Sequence, residues 1–216
     1  MDDVIEMTRI GLAQPYADRT RVAVVGGSHG GCVAMRALQR GLPAKLGVNL
    51  FGIADWANAY RLWESQISQG GDAGALYQSL VDVLRLATGG TPEEVPEEYA
   101  KRSPVTFAAD LPQVKTLLNL HGALDELVPL TDTCRLLRGL ENLQAYHVDA
   151  DGNATDAQPA GCDIGDTAWL PEPKPKDTWP HDRYFLVYAG AGHGSLRPVG
   201  ELPIHDLASF LFSRIY

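Results

Sequence analysis

Apolar positions alternate between two periods along the chain. Residues 2–13 place Val4, Ile5, Ile10 and Leu12 at helical spacing, with Asp2 and Asp3 near the positive end, and predict a short amphipathic helix. Residues 21–25, Arg-Val-Ala-Val-Val, form a continuous β-branched run of the kind buried on both faces of a parallel sheet. A helix is predicted from Cys32 to Gln39, a strand over 45–53, and helical segments over 56–69, 75–86 and 93–102, with Pro104 fitting the end of the last. Residues 116–121 predict a third strand and 132–140 a helix. Two further strands follow at 143–148 and 184–188, then an amphipathic helix at 205–216. Strand–helix alternation of this kind specifies an α/β fold with a mostly parallel sheet. Residues 149–183, rich in Asp, Gly and Pro, break the rhythm and are expected to form an excursion between strands inside a single domain spanning 1–216.

Composition narrows the function classes. The chain has 216 residues, 45% apolar and 21% charged, which are ordinary values for a folded protein able to bury about 70% of its unfolded surface. The net charge of −9, with no basic run, argues against nucleic acid or anionic membrane as a partner. No apolar stretch reaches the 18 residues a membrane helix needs, and the acidic start, Met-Asp-Asp-Val, does not fit a basic leader. Cys32, Cys134 and Cys162 are odd in number, widely spaced and without a zinc pattern. They are expected to be buried or incidental thiols of a cytoplasmic protein.

The strand at 21–25 runs into Gly26-Gly27-Ser28-His29-Gly30, which fits G-x-S-x-G. That pattern makes a sharp strand-to-helix turn that lifts a serine hydroxyl above the sheet. Small residues on both sides of Ser28 permit the turn, the next helix points its N-terminus at the site, and the backbone N–H of His29 is a candidate oxyanion donor. A dinucleotide fingerprint fits poorly because Ser28 stands where its second glycine belongs, and no Gly-Lys-Ser/Thr follows to make a phosphate loop. A glycine-rich turn with an incidental serine is the bland alternative. A nucleophilic serine needs a base and an orienting acid. Asp125, in His-Gly-Ala-Leu-Asp-Glu-Leu-Val-Pro, and His193, in Gly-Ala-Gly-His-Gly, both follow predicted strands, where an open α/β sheet assembles its site.

Other residues have plainer readings. His29 is expected to line the substrate pocket, and His121 to be a structural hydrogen bonder near the acid turn. His147, His181 and His205 are expected at the surface or satisfied in the core. Trp56, Tyr60, Trp63 and Tyr77 fall in the segment that can cover the site; Trp56 and Tyr60 are candidate substrate contacts, with core packing the alternative. Asp149, Asp151 and Asn153 resemble the start of a calcium loop, but Ala154 and Ala160 stand where Gly and Glu are needed, so a polar turn is expected. No metal and no cofactor is expected.

Gly-Gly-Ser28-His-Gly-Gly, Ser103-Pro104, His-Gly-x-x-Asp125-x-x-Val-Pro and Gly-x-Gly-His193-Gly together resemble the catalytic domain of the prolyl oligopeptidase family of α/β-hydrolases. The resemblance implies Ser28 as nucleophile, His193 as base and Asp125 as orienting acid, in an enzyme that cleaves peptides or esters through an acyl-enzyme. The departure lies upstream. The family carries four more strands before the elbow strand, and one of their loops supplies a second oxyanion N–H. Only 27 residues precede Ser28, and four strands with connections need about 60. A shortened α/β-hydrolase fold is expected, with one oxyanion donor lost at a cost of about 3–4 kcal/mol. The 21–25 strand then becomes an unprotected sheet edge, expected to be covered by a second copy of the chain. The functional expectation is a serine hydrolase acting on a small ester in preference to a peptide. A non-catalytic homologue that binds or assembles with a partner is the alternative, and a calcium- or nucleotide-binding module comes third.

Overall fold

The computed structural model describes residues 2–193 and 202–215. A six-stranded sheet forms its centre, in the order β1-β2-β3-β6-β4-β5. The strands are β1 (Ala23–Gly27), β2 (Leu46–Leu50), β3 (Thr116–Gly122), β4 (Leu143–Val148), β5 (Ala154–Thr155) and β6 (Arg183–Tyr188). All pairings are parallel except that of β4 with the two-residue β5. The helices are α1 (Asp2–Leu12), α2 (His29–Gln39), α3 (Trp56–Gln66), α4 (Gly71–Thr88), α5 (Pro96–Arg102), α6 (Leu130–Leu137) and α7 (Leu202–Ile215).

The strand interiors are apolar because both sheet faces are covered. One face packs Met35, Leu38, Leu117, Leu136 and Phe185 under α2 and α6. The other packs Val48, Leu118, Tyr184, Leu186 and Phe210 under α7. A third cluster, with Trp56, Tyr60, Trp63, Tyr77 and Tyr99, joins α3, α4 and α5 beyond the carboxyl end of β2. Asp55 starts α3 by accepting the amides of Ala57 and Asn58 at 3.0 and 3.1 Å.

Several boundaries shift from those the sequence predicts. β1 runs two residues later than 21–25 and takes Gly26 and Gly27 into the sheet, while α2 opens at His29, directly after Ser28. A 3-10 segment over Pro104–Gln113, where the sequence predicts only a helix end, carries the chain back to β3. The 149–183 segment holds β5, a bridge between Ala145 and Trp169, and otherwise irregular backbone. Asp149 closes the polar turn there by accepting the amides of Asp151 and Asn153. Within the same segment Lys174 reaches Asp206 of α7 at 2.6 Å, and Tyr188 of β6 donates to the other oxygen of that carboxylate at 2.7 Å. These buried contacts pin the excursion between the sheet and α7. Among the described residues no helix is long and apolar enough to cross a membrane.

The cysteine reading is corrected. Cys134 of α6 and Cys162 of the excursion are joined by a disulfide, their Cα atoms 5.3 Å apart. Only Cys32 is a free thiol; it is buried, and burial pushes its pKa up to about 11. The cytoplasmic expectation therefore loses its basis in three free thiols, since such bonds persist in oxidising surroundings.

Two outcomes follow from this packing. The disulfide spans 28 residues. Cys162→Ser should lower unfolding stability by about 3–4 kcal/mol, the chain entropy such a closure removes, as read from urea unfolding without reductant. Gly31→Ala should cost about 1–3 kcal/mol in the same assay. Its Cβ would lie 2.4 Å from Asn49 Oδ1 and 2.7 Å from Gly52 Cα, whereas Gly30→Ala meets open space and should be far milder.

Candidate active site

Ser28 occupies the tight turn between β1 and α2. Its backbone adopts φ 52° and ψ −123°, a conformation that non-glycine residues rarely take. The turn is held from both sides. The Ser28 amide donates to Leu50 O at 2.9 Å, and the Ser28 carbonyl accepts from Gly31 and Cys32 at 3.0 and 3.2 Å. The close approach relies on Gly26, where a Cβ would sit 2.1 Å from Gly30 O, and on Gly31. The tight glycine after the serine is thus Gly31, three positions on, rather than Gly30.

Asp125 lies in the loop after β3, with its side chain buried. Its Oδ1 accepts the amides of Leu127 and Val128 at 3.0 and 2.8 Å. His193 lies in the loop after β6. The two loops are braced against each other: Leu124 N–H donates to Ala191 O at 2.9 Å, and a Cβ on Gly122 would meet that same oxygen at 2.3 Å.

The structure brings the three predicted side chains into one line. His193 Nε2 is 3.0 Å from Ser28 Oγ, and His193 Nδ1 is 3.1 and 3.0 Å from the two oxygens of Asp125. With Asp125 ionised, Nδ1 carries the proton and donates to it, which leaves Nε2 to accept the serine hydroxyl. This order allows Ser28 to lose a proton to His193 while Asp125 stabilises the cation that forms. Ser28 also ends at the N-terminus of the eleven-residue α2, whose first amides favour developing negative charge.

A cleft of about 160 Å³ opens beside Ser28 and His193. His29 lines it, and its walls are apolar, among them Trp63, Leu76, Leu80, Val83, Leu127 and Val128. Size alone would not have found it. A cavity of about 500 Å³ lies against the excursion, bounded by Asp151, Lys174, Lys176 and His205, remote from the Ser28 relay.

Trp56 and Tyr60 do not line the cleft and are corrected to core residues. Trp56 is buried and donates its indole N–H to Cys32 Sγ at 3.0 Å. Tyr60 is buried edge-on to Tyr99. Trp63, one turn further along α3, reaches the cleft and donates to Leu127 O at 2.7 Å, tying α3 to the acid loop. Phe51 went unremarked in the sequence. Directly after β2, at φ 42°, it sets its ring edge-on to His193 with centroids 4.9 Å apart. Its only local signal is a position one residue past a strand end. His121 is buried, as a structural hydrogen bonder would be, in contact with the acid loop. His147 donates from Nδ1 to Ala157 O at 2.9 Å, and His205 is exposed.

Comparison with known proteins agrees with this architecture. Residues 1–151 match the model of the prolyl oligopeptidase family. A probable dipeptidyl-aminopeptidase B of Aspergillus oryzae is 26% identical over 149 residues, covering 68% of this chain and 14% of that protein. An uncharacterized peptidase, YtmA, of Bacillus subtilis is 28% identical over 143 residues, covering 66% of this chain and 49% of its own. The chain therefore spans half or less of these curated relatives. The solved acylaminoacyl peptidase of Pyrococcus horikoshii superposes with a TM-score of 0.57 at 22% identity, covering 98% of this chain and 26% of that one. At that identity the likeness speaks for the fold, an α/β-hydrolase sheet of which six strands are present here. With the family model matching well over half of its residues, the chain belongs to the prolyl oligopeptidase family.

Proposed function

We propose that this chain is the catalytic part of a serine hydrolase that cleaves esters, or amides, presenting an apolar group to the cleft beside Ser28. The continuous Ser28–His193–Asp125 relay at the mouth of that cleft carries the reading. His193 Nε2 takes the Ser28 proton as Oγ attacks the carbonyl carbon. The carbonyl oxygen becomes an oxyanion, received by the His29 amide at the start of α2. His193 then delivers its proton to the leaving group, and the acyl-enzyme forms. Water, deprotonated by the same imidazole, attacks the acyl carbon; Ser28 recovers its proton and the acid departs. The His29 amide is the oxyanion donor proposed among the described residues, and small esters with good leaving groups are the proposed substrates in preference to peptides. Substitution of Ser28 by Ala should reduce hydrolysis of p-nitrophenyl butyrate by about a thousandfold or more relative to the parent protein. Equal rates from both, or turnover by neither, would reject the catalytic reading in favour of a binding or assembly role.

A second copy of the chain is the proposed partner. Among the described residues β1 pairs only with β2, and Val25, on the open side of the sheet, is 46% exposed. An apolar β-branched edge without charges is a template for another strand. A two-fold axis would set β1 antiparallel to its symmetry mate and continue the sheet. Light scattering should give a dimer at micromolar concentration for the parent chain and a monomer for Val25→Lys; a monomeric parent would overturn this assembly.

A further inference from the structure

His121 is the sixth residue of β3, opposite Val187 of β6, and is wholly buried beneath the acid loop. Both ring nitrogens have partners. Nε2 lies 3.0 Å from the Val128 carbonyl oxygen and 3.4 Å from Asp125 Oδ2. Nδ1 lies 3.2 Å from Thr133 Oγ1 on α6. Two acceptors face Nε2, and the hydroxyl facing Nδ1 can donate, so the single proton of a neutral ring belongs on Nε2. Burial lowers the His121 pKa, which keeps the ring neutral, and the charged groups it feels are Asp125 and His193.

The two oxygens of Asp125 are not equivalent. Oδ1 is satisfied by the Leu127 and Val128 amides. Among the described residues Oδ2, 3.0 Å from His193 Nδ1, has no such backbone donor, and His121 Nε2 lies 3.4 Å from it. We propose that His121 is a positioning residue of the hydrolytic site: its Nε2–H spans the Val128 carbonyl and Asp125 Oδ2, closing the acid loop and holding the carboxylate in the plane that His193 uses. Thr133 fixes the tautomer from the opposite side, which makes α6 a support of the relay although it contributes no residue to the cleft. His121 acts through Asp125; of the residues lining the cleft it meets Val128, at the backbone carbonyl. Its loss should therefore weaken the proton-transfer steps and leave ground-state binding intact.

The proposal rests on the hydrolytic reading above, so its test has one arm that turnover does not enter. Protein labelled with 15N-histidine is titrated by NMR as the parent chain, His121→Gln and His121→Leu, while kcat and KM are measured for p-nitrophenyl butyrate. In the parent, His121 should stay neutral with its proton on Nε2 from pH 5 to 9. His121→Leu should shift the His193 titration and lower kcat by about 10–100-fold with KM within twofold. His121→Gln, which keeps an N–H donor, should recover most of both. A His121 that titrates in that range or carries its proton on Nδ1 would overturn the proposal. So would a folded His121→Leu protein with parental kcat and an unmoved His193 titration, or equal losses in both variants with a raised KM. If the parent hydrolyses nothing, the hydrolytic reading fails on its own, and the His193 titration alone decides whether His121 governs the pair. If His121→Leu does not fold, the parental tautomer and the His121→Gln protein decide it.

Discussion

The approach of Gly26 to the Gly30 carbonyl, closer than any side chain permits, is the contact on which the site depends. It lets α2 begin immediately after β1 with no intervening loop, and the chain makes that turn only with Ser28 in a strained conformation. The strain aims the hydroxyl away from the sheet and toward His193. It is held by hydrogen bonds from the neighbouring strand, where Leu50 receives the Ser28 amide. Ser28 is therefore positioned by the sheet itself, and its geometry depends on the β1–β2 pairing.

The remaining members of the relay sit on loops, and the fold compensates by bracing those loops against one another. The loop after β3 and the loop after β6 share a backbone hydrogen bond through Leu124 and Ala191. Trp63 of α3 holds Leu127 from above, and His121 holds Val128 from below. Each brace comes from a different element, so the acid loop behaves as part of the core although it lies at the sheet's end. The apolar wall of the cleft is largely one face of α4, an element remote in sequence from all three relay residues.

How much of this was legible in the sequence follows from the range of the interactions. The order and placement of Ser28, Asp125 and His193 were readable because each is announced by its own local turn chemistry at a strand end. The parallel sheet was readable from short β-branched runs, and its boundaries slipped by only a few residues. The Cys134–Cys162 bond was not readable, because nothing in a 28-residue separation shows that the excursion folds back onto α6. Trp56, Tyr60 and Trp63 share one face of α3, and periodicity alone cannot say which of them reaches past the core to the cleft. Phe51 acquires its place against His193 only when the end of β2 and the loop after β6, far apart in sequence, are brought together, whereas the partners of His121 all lie within twelve residues of it.

Asn49 ties these levels together. Paired in register with Asn119 on the next strand, it donates to that residue at 3.1 Å and accepts the Gly52 amide at 3.1 Å. The space around its Oδ1 is closed by two glycines from different elements, Gly31 and Gly52, where a Cβ would come within 2.4 and 2.2 Å. These four positions can therefore change over evolutionary time only in concert. A larger residue at either glycine meets backbone as well as Asn49, with Gly52 Cα 2.7 Å from a Gly31 Cβ and Gly31 C 2.8 Å from a Gly52 Cβ, and a smaller Asn49 leaves the buried Asn119 Oδ1 without its donor. Neutral drift through this corner of the protein must pass through destabilised intermediates, so the ground beneath the elbow should diversify more slowly than the apolar cleft beside Ser28.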